Sequence, residues 1–294
     1  MKIFDCTSYY SEDLMLDIRF NVLNEKVCKF IVVESLFSHS GQKKKLNFDI
    51  NNFKKFKDKI IYLVVEKEPN GIKNLDKNNQ ESTIKRYNSL LRIEQSYNHM
   101  FEGAKDALDD DLIILSDNDE IPNLNSKEFS SSKANIFIFK QLFFYYKLNL
   151  FYDAMYWYGS KACKKKKLIS MSWLRNLKNK KYPLWRLDTY FSNNKYINLK
   201  IINDGGWHFT NLKTPEALYE KMKNFGHHNE FDDSGLTIED IKNKIQNKEV
   251  FYDHFADKTD QNKWNAKYKL KNININLLPK YIQENISLYK EWLD

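Results

Sequence analysis

Cysteine is scarce. Cys6, Cys28 and Cys163 are odd in number and widely spaced, which excludes a disulfide framework and a cysteine-built zinc site and leaves reduced packing residues. Five prolines and eight glycines in 294 residues provide no proline- or glycine-rich linker, and no internal repeat is visible. One large α/β catalytic unit is expected, not tethered domains or a repeat array. No apolar run reaches the length of a bilayer span, and Met1-Lys2-Ile3-Phe4-Asp5 leads into a strand-like segment without a signal-peptide pattern. A cytoplasmic location is the expectation. A glycine-rich phosphate loop with a Walker lysine is also missing, which weakens any reading that consumes a nucleoside triphosphate.

Aromatic and basic residues are plentiful. Aromatics make up 15% of the chain and charged residues 29%, values of a folded globular protein with enough rings for both core and ligand-stacking surfaces. The net charge of +8 is concentrated in runs such as Lys43-Lys44-Lys45 and Lys164-Lys165-Lys166-Lys167. These read first as solvated loops, and secondly as surfaces for phosphate or peripheral membrane contact. No nucleic-acid motif accompanies them, so nucleic acid is not expected as a partner.

The pattern of elements is βαβ. Lys2 to Cys6, Phe30 to Val33 and Ile60 to Val65 read as strands, and Ser11 is expected to cap a helix carrying Leu14, Met15, Ile18, Val22 and Leu23. Leu90, Ile93, Tyr97, Met100, Ala104 and Leu108 mark one face of a long helix before the strand Leu112-Ile113-Ile114-Leu115. Aromatic-rich segments follow over Ile136 to Leu150 and Tyr152 to Tyr158, as longer strands or interrupted helices. Thr214-Pro215-Glu216 starts a helix with Leu218, Met222 and Phe225 on one face, and later helices are expected over Ile238 to Asn247 and Tyr281 to Leu293.

Two constellations carry chemistry. Asp117-Asn118-Asp119-Glu120-Ile121-Pro122 stands at the carboxyl end of the fully apolar strand, where open α/β sheets bind ligands. On an extended segment Asp117 and Asp119 project to one side and share a divalent cation, Asn118 points away, and Pro122 keeps the strand from running on. A solvated acidic turn is the plain alternative. The second constellation is Asp204-Gly205-Gly206-Trp207-His208-Phe209, after the strand-like run Tyr196 to Ile202; its glycines permit a sharp turn that delivers His208. Packing of the ring between Trp207 and Phe209 is the competing explanation.

Together with Leu16-Asp17-Ile18-Arg19-Phe20-Asn21-Val22-Leu23, Phe30-Ile31-Val32-Val33-Glu34-Ser35 and Thr214-Pro215-Glu216, these blocks make the chain resemble glycosyltransferase family 17 over roughly residues 1 to 230. The resemblance implies a GT-A-like fold with a Rossmann-type, mostly parallel central sheet flanked by helices. It also implies a UDP-sugar donor, UDP-N-acetylglucosamine above others, and transfer with inversion. Luminal animal members carry a membrane anchor, whereas none is visible here, so a free glycan, lipid-linked sugar or polysaccharide precursor is the expected acceptor. Members commonly have an arginine in the helix before the acidic motif; Arg86, Arg92 and the better-registered Asn98 leave that role unassigned.

The expected organisation is a catalytic unit over about 1–230, with nucleotide binding to about 124 and acceptor binding and site closure after it, and a helical extension over 231–294. Asp117, Asp119 and His208 are expected to hold Mn²⁺ or Mg²⁺ against the diphosphate. Glu34, Asn118 and Lys161 are donor-contacting candidates. Asp204, Asp188 and Glu120 are alternatives for the base, Asp204 favoured because it precedes the Gly-Gly turn. A nucleotidyl- or phosphotransferase using the same aspartates, and a non-catalytic carbohydrate- or nucleic-acid-binding protein, stand as rival functions.

Overall fold

Alternation along short apolar strands decides how the central sheet is covered. The computed structural model describes residues 1–74, 81–183, 185–189, 191–192, 195, 199–224, 228–257 and 260–294. Among these are β1 (Ile3–Ser8), β2 (Lys29–Ser35), β3 (Ile60–Val65), β4 (Leu112–Ser116), β5 (Glu120–Pro122) and β6 (Ile136–Phe139). Then follow β7 (Leu142–Tyr145), β8 (Leu150–Phe151), β9 (Lys161–Lys164), β10 (Lys200–Ile202), β11 (Gly206–Thr210) and β12 (Lys271–Asn272). The central sheet is ordered β10-β6-β9-β4-β1-β2-β3 and a second sheet β12-β8-β7-β11-β5. β3, β2, β1 and β4 run parallel, as do β6 and β10, and only β9 opposes its neighbours in the central sheet. The class is α/β with a mostly parallel central sheet flanked by helices.

Leu112 and Ile114 of β4 face a layer formed with Ile18, Phe20, Ile282 and Tyr289. Ile113 and Leu115 face the opposite layer with Tyr97, Met100 and Leu174. Because both faces are covered, the strand has no polar position until Ser116. A third cluster, including Phe143, Leu218, Phe251 and Trp264, joins the second sheet to the C-terminal region.

Several local expectations change. Glu12, not Ser11, is the N-cap residue of the helix Asp13–Leu23, and its carboxylate accepts the N–H groups of Tyr10 and Ser11 at 3.1 and 3.0 Å. The long helix stops at His99 and resumes for Phe101–Ala104; Leu90 and Leu108 are exposed while Tyr97, Met100 and Ala104 are buried. Tyr152 to Tyr158 forms no strand; it is held by a Gln141–Trp157 bridge, by the Tyr152 N–H donating to the Phe143 carbonyl at 2.8 Å and by the Trp157 indole donating to Glu120 at 2.6 Å. The C-terminal helix is divided into Lys280–Glu284 and a 3₁₀ segment Ile286–Trp292 kinked at Tyr289. Pro122 is the last residue of β5, an edge strand where a proline is tolerated.

Thr214 caps its helix as expected, Oγ1 accepting the Ala217 N–H at 3.3 Å, with Leu218 and Met222 buried. Phe225 lies outside the described residues, as do Tyr196 to Asn198; the rest of that run supplies β10. No helix among the described residues is long and apolar enough to cross a membrane.

Candidate active site

Asp117 to Glu120 do not continue β4 in an extended conformation. The Glu120 N–H closes a turn onto the Asp117 carbonyl at 3.1 Å, and the Glu120 carboxylate accepts the Asp117 N–H at 2.8 Å. Arg19, fully buried, holds this turn from below: Nη1 donates to the Glu120 carbonyl at 2.5 Å while Nε and Nη2 grip the Asp5 carboxylate at 2.7 and 2.5 Å. The turn sends the two aspartates to different partners. Asp117 accepts the Tyr97 hydroxyl and lies 3.4 Å from Arg175, whose guanidinium packs 4.8 Å from the Tyr97 ring centre. Burial opposes its ionisation, yet Arg175 and the Tyr97 hydroxyl hold the Asp117 carboxyl below its ordinary range. Asp119 stands 3.6 Å from His208 Nδ1 and 3.9 Å from Lys221.

His208 arrives on β11, paired with Glu120 of β5 on one side and Phe143 of β7 on the other. Gly206 makes this delivery possible. Its φ of +109° suits glycine, and a Cβ there would stand 2.2 Å from the Ile121 carbonyl oxygen. The imidazole stacks on Trp157 at 4.6 Å and 11°, and burial pushes its pKa down to about 3, so it is neutral at physiological pH. Its buried Nδ1 has no hydrogen-bond partner among the described residues.

Both polar atoms of the Asn118 amide are also buried without partners among the described residues. Burial, with the Asp117 charge adding to it against Lys221, pushes Asp119 up to about 6. Burial, then Asp117 and Asp119, push Glu120 up to about 8. A cation beside Asp119 relieves both. The described residues contain no group of three acidic, histidine or cysteine side chains forming a ready metal cage. Asp119 and the orphaned His208 nitrogen nevertheless suit a divalent ion that takes its remaining ligands from phosphate and water.

A cleft of ≈ 440 Å³ opens from this point, across Ser8 and Tyr10 at β1 and Ser35 at β2, to Thr210, Tyr252 and His254 on the far side. Lys44, Arg86, Lys213 and Lys221 line it, so cationic groups surround the acidic turn. A recess of ≈ 150 Å³ adjoins it, bounded by Asp117, Glu120, Trp157, Lys161 and Arg175. Gly159 gives Glu120 its place in that recess, since a Cβ at this position would stand 2.0 Å from Glu120 Oε1.

Asp117, Asn118, Asp119, Glu120, His208 and Lys161 thus converge, but Lys161 points its ammonium at the carbonyls of Arg175 and Leu177 and ties down the arginine's helix. Glu34 is buried away from the cleft, accepting from Lys44, the N–H of Asn47 and Phe48, and the Tyr62 hydroxyl. Asp204 accepts from Asn123 at 2.9 Å and Asp188 pairs with Arg186 and Lys195 at 2.8 Å; neither lines the cleft or the recess. Arg175, Tyr97, Trp157 and Lys221 are additions that no short motif marks. On the helix Glu81–His99, Arg86 lines the cleft and Arg92 pairs with Glu68. Asn98 accepts the Ser172 N–H at 3.0 Å, bracing the helix that carries Arg175.

The profile of glycosyltransferase family 17 matches residues 1–293. No curated protein matches the chain. Among solved structures, the inositol-1-phosphate CTP transferase from T. maritima aligns at 12% identity and a TM-score of 0.34, over 76% of this chain and 96% of that one.

Proposed function

As the chain belongs to glycosyltransferase family 17, we propose that this transferase moves N-acetylglucosamine from its UDP-sugar, with Mn²⁺ or Mg²⁺ and inversion, to a glycan-type acceptor. The observation carrying this reading is the acidic turn at the end of β4, with the unpartnered His208 nitrogen beside Asp119 and cationic side chains around it. Lys213, Lys221 and Arg86 suit the phosphate oxygens, and Tyr10, with the Lys44 ammonium 5.0 Å from its ring centre, suits the nucleoside end. Asp119 and His208 would hold the cation, which supplies charge neutralisation for the departing diphosphate.

Asp117, bound to Tyr97 and Arg175, shapes the site between cleft and recess. In the transfer itself an acceptor hydroxyl bonds to the anomeric carbon as the bond to UDP breaks. The hydroxyl's proton passes to a carboxylate, and we assign that role to Glu120 because it alone of the three candidates borders the recess. Its raised affinity for protons suits a base near neutral pH.

Thermal melting tests the donor and metal. UDP-N-acetylglucosamine with Mn²⁺ should raise Tm more than GDP- or CMP-sugars, and His208→Ala should lose most of the metal-dependent part. Equal shifts with and without chelator would remove the metal from the reading.

A further inference from the structure

Most of the two lysine runs is tied to neighbouring groups, leaving Lys43, Lys45 and Lys167 exposed without apolar side chains in the same runs. Lys164 and Lys166 pair with Asp110, Lys165 donates to the carbonyls of Lys105 and Ala107, and Lys44 to Glu34. A different stretch combines exposed charge with exposed apolar side chains. Between Lys178 and Lys195 stand five basic residues and one acidic residue, Asp188, already met by Arg186 and Lys195. Lys178, Lys180 and Lys181 are exposed and make no ion pair among the described residues. In the same stretch Phe191 is 91% exposed, Trp185 80% and Leu187 72%; the first two are the most exposed large apolar side chains among the described residues.

We propose that this stretch docks the protein on an anionic lipid surface. Exposed rings and an exposed aliphatic side chain in the same short stretch as unpaired lysines match what a bilayer interface takes up: apolar groups enter the headgroup boundary while ammonium groups meet lipid phosphates. Leu187 favours lipid over nucleic acid, since an aliphatic side chain contributes nothing to stacking on bases but buries well among acyl chains. The stretch follows the helix Met171–Asn176, whose end Lys161 ties down and whose Arg175 reaches Asp117. Docking therefore brings a membrane toward the rim of the recess. That the acceptor is carried on a lipid rests on the transferase reading above; docking does not.

The full chain is sedimented with vesicles of phosphatidylglycerol and phosphatidylcholine, and with vesicles of phosphatidylcholine alone, at low and high salt. Binding to the anionic vesicles that weakens with salt is expected. Lys180→Gln with Lys181→Gln should weaken it about 25-fold, at about fivefold for each basic residue near an anionic surface. Trp185→Ser with Phe191→Ser should weaken it on the order of tenfold or more, while the metal-dependent UDP shift in Tm is retained. The idea is overturned if wild type ignores anionic vesicles or if the aromatic double variant partitions like wild type. It is equally overturned if these residues instead support self-association or single-stranded RNA binding without vesicle binding. A wild type that binds the vesicles but shows no metal-dependent UDP shift would instead count against the proposed UDP-sugar donor.

Discussion

Glu120 sits between two N–H donors, the Asp117 backbone and the Trp157 indole at 2.8 and 2.6 Å, yet burial first, and then two neighbouring carboxylates, oppose its charge. A carboxyl in that balance changes protonation readily near neutral pH, as proton transfer requires. Glu120→Gln should leave UDP affinity within about threefold but lower kcat by about 10²- to 10⁴-fold. Asp204→Asn and Asp188→Asn, on residues outside the cleft, should turn over at nearly the wild-type rate. Steady-state kinetics with titrated UDP binding decides it. A slow Asp204→Asn enzyme would return the base to the turn before β11. Sequence proximity to His208 favours Asp204, but the Gly205-Gly206 turn separates them: Asp204 bonds Asn123 while cross-strand pairing sets Glu120 opposite His208.

At the scale of elements, a helix, a strand and a turn meet through Arg19. Its guanidinium leaves the helix Asp13–Leu23, clamps Asp5 of β1 and reaches the Glu120 carbonyl, so the acidic turn inherits the rigidity of the central sheet. Removing one member of a buried ion pair strands the other charge. Arg19→Ala and Asp5→Ala should each destabilise the fold by about 3–5 kcal/mol, with the double variant well short of the sum. Urea unfolding midpoints measure this; additive losses would mean that the two side chains act separately. Such contacts also explain what could be read from the sequence. The apolar run of β4, the acidic motif and the Gly-Gly-Trp-His block are local patterns, and each marks its element directly. The extended geometry expected for Asp117 and Asp119 gave way because Arg19 and Glu120 close the turn. Arg175 was illegible, since its pairing with Asp117 joins residues 58 apart through a helix braced by Asn98 and Lys161.

Across the whole molecule, opposing buried groups set the response to acid. Burial pushes His39 and His254 down to about 4 and His208 to about 3, from an ordinary 6.5. Unfolding therefore takes up protons at these rings below pH 6.5, so their contribution to stability is present above 6.5 and is lost as pH falls. Asp119 and Glu120 act in the other sense, being raised to about 6 and about 8 from 3.8 and 4.5. They hold protons in the folded state that the unfolded chain releases, so their contribution weakens as pH rises. Between about pH 4.5 and 6 the two carboxyls offset somewhat more than half of the proton uptake at the three rings, so Tm of the ligand-free protein should climb only gently with pH across that window, by roughly one uncompensated proton. A cation bound beside Asp119 keeps that carboxylate ionised and relieves the repulsion on Glu120, which removes the opposing set but leaves His39 and His254 neutral. With Mn²⁺ and UDP, Tm should then climb more steeply with pH over the same window than without them, each further uncompensated proton corresponding to about 1.4 kcal/mol per pH unit. Calorimetry at half-unit steps, with and without ligand, gives both slopes. Parallel curves would mean that the ligand does not contact the acidic turn.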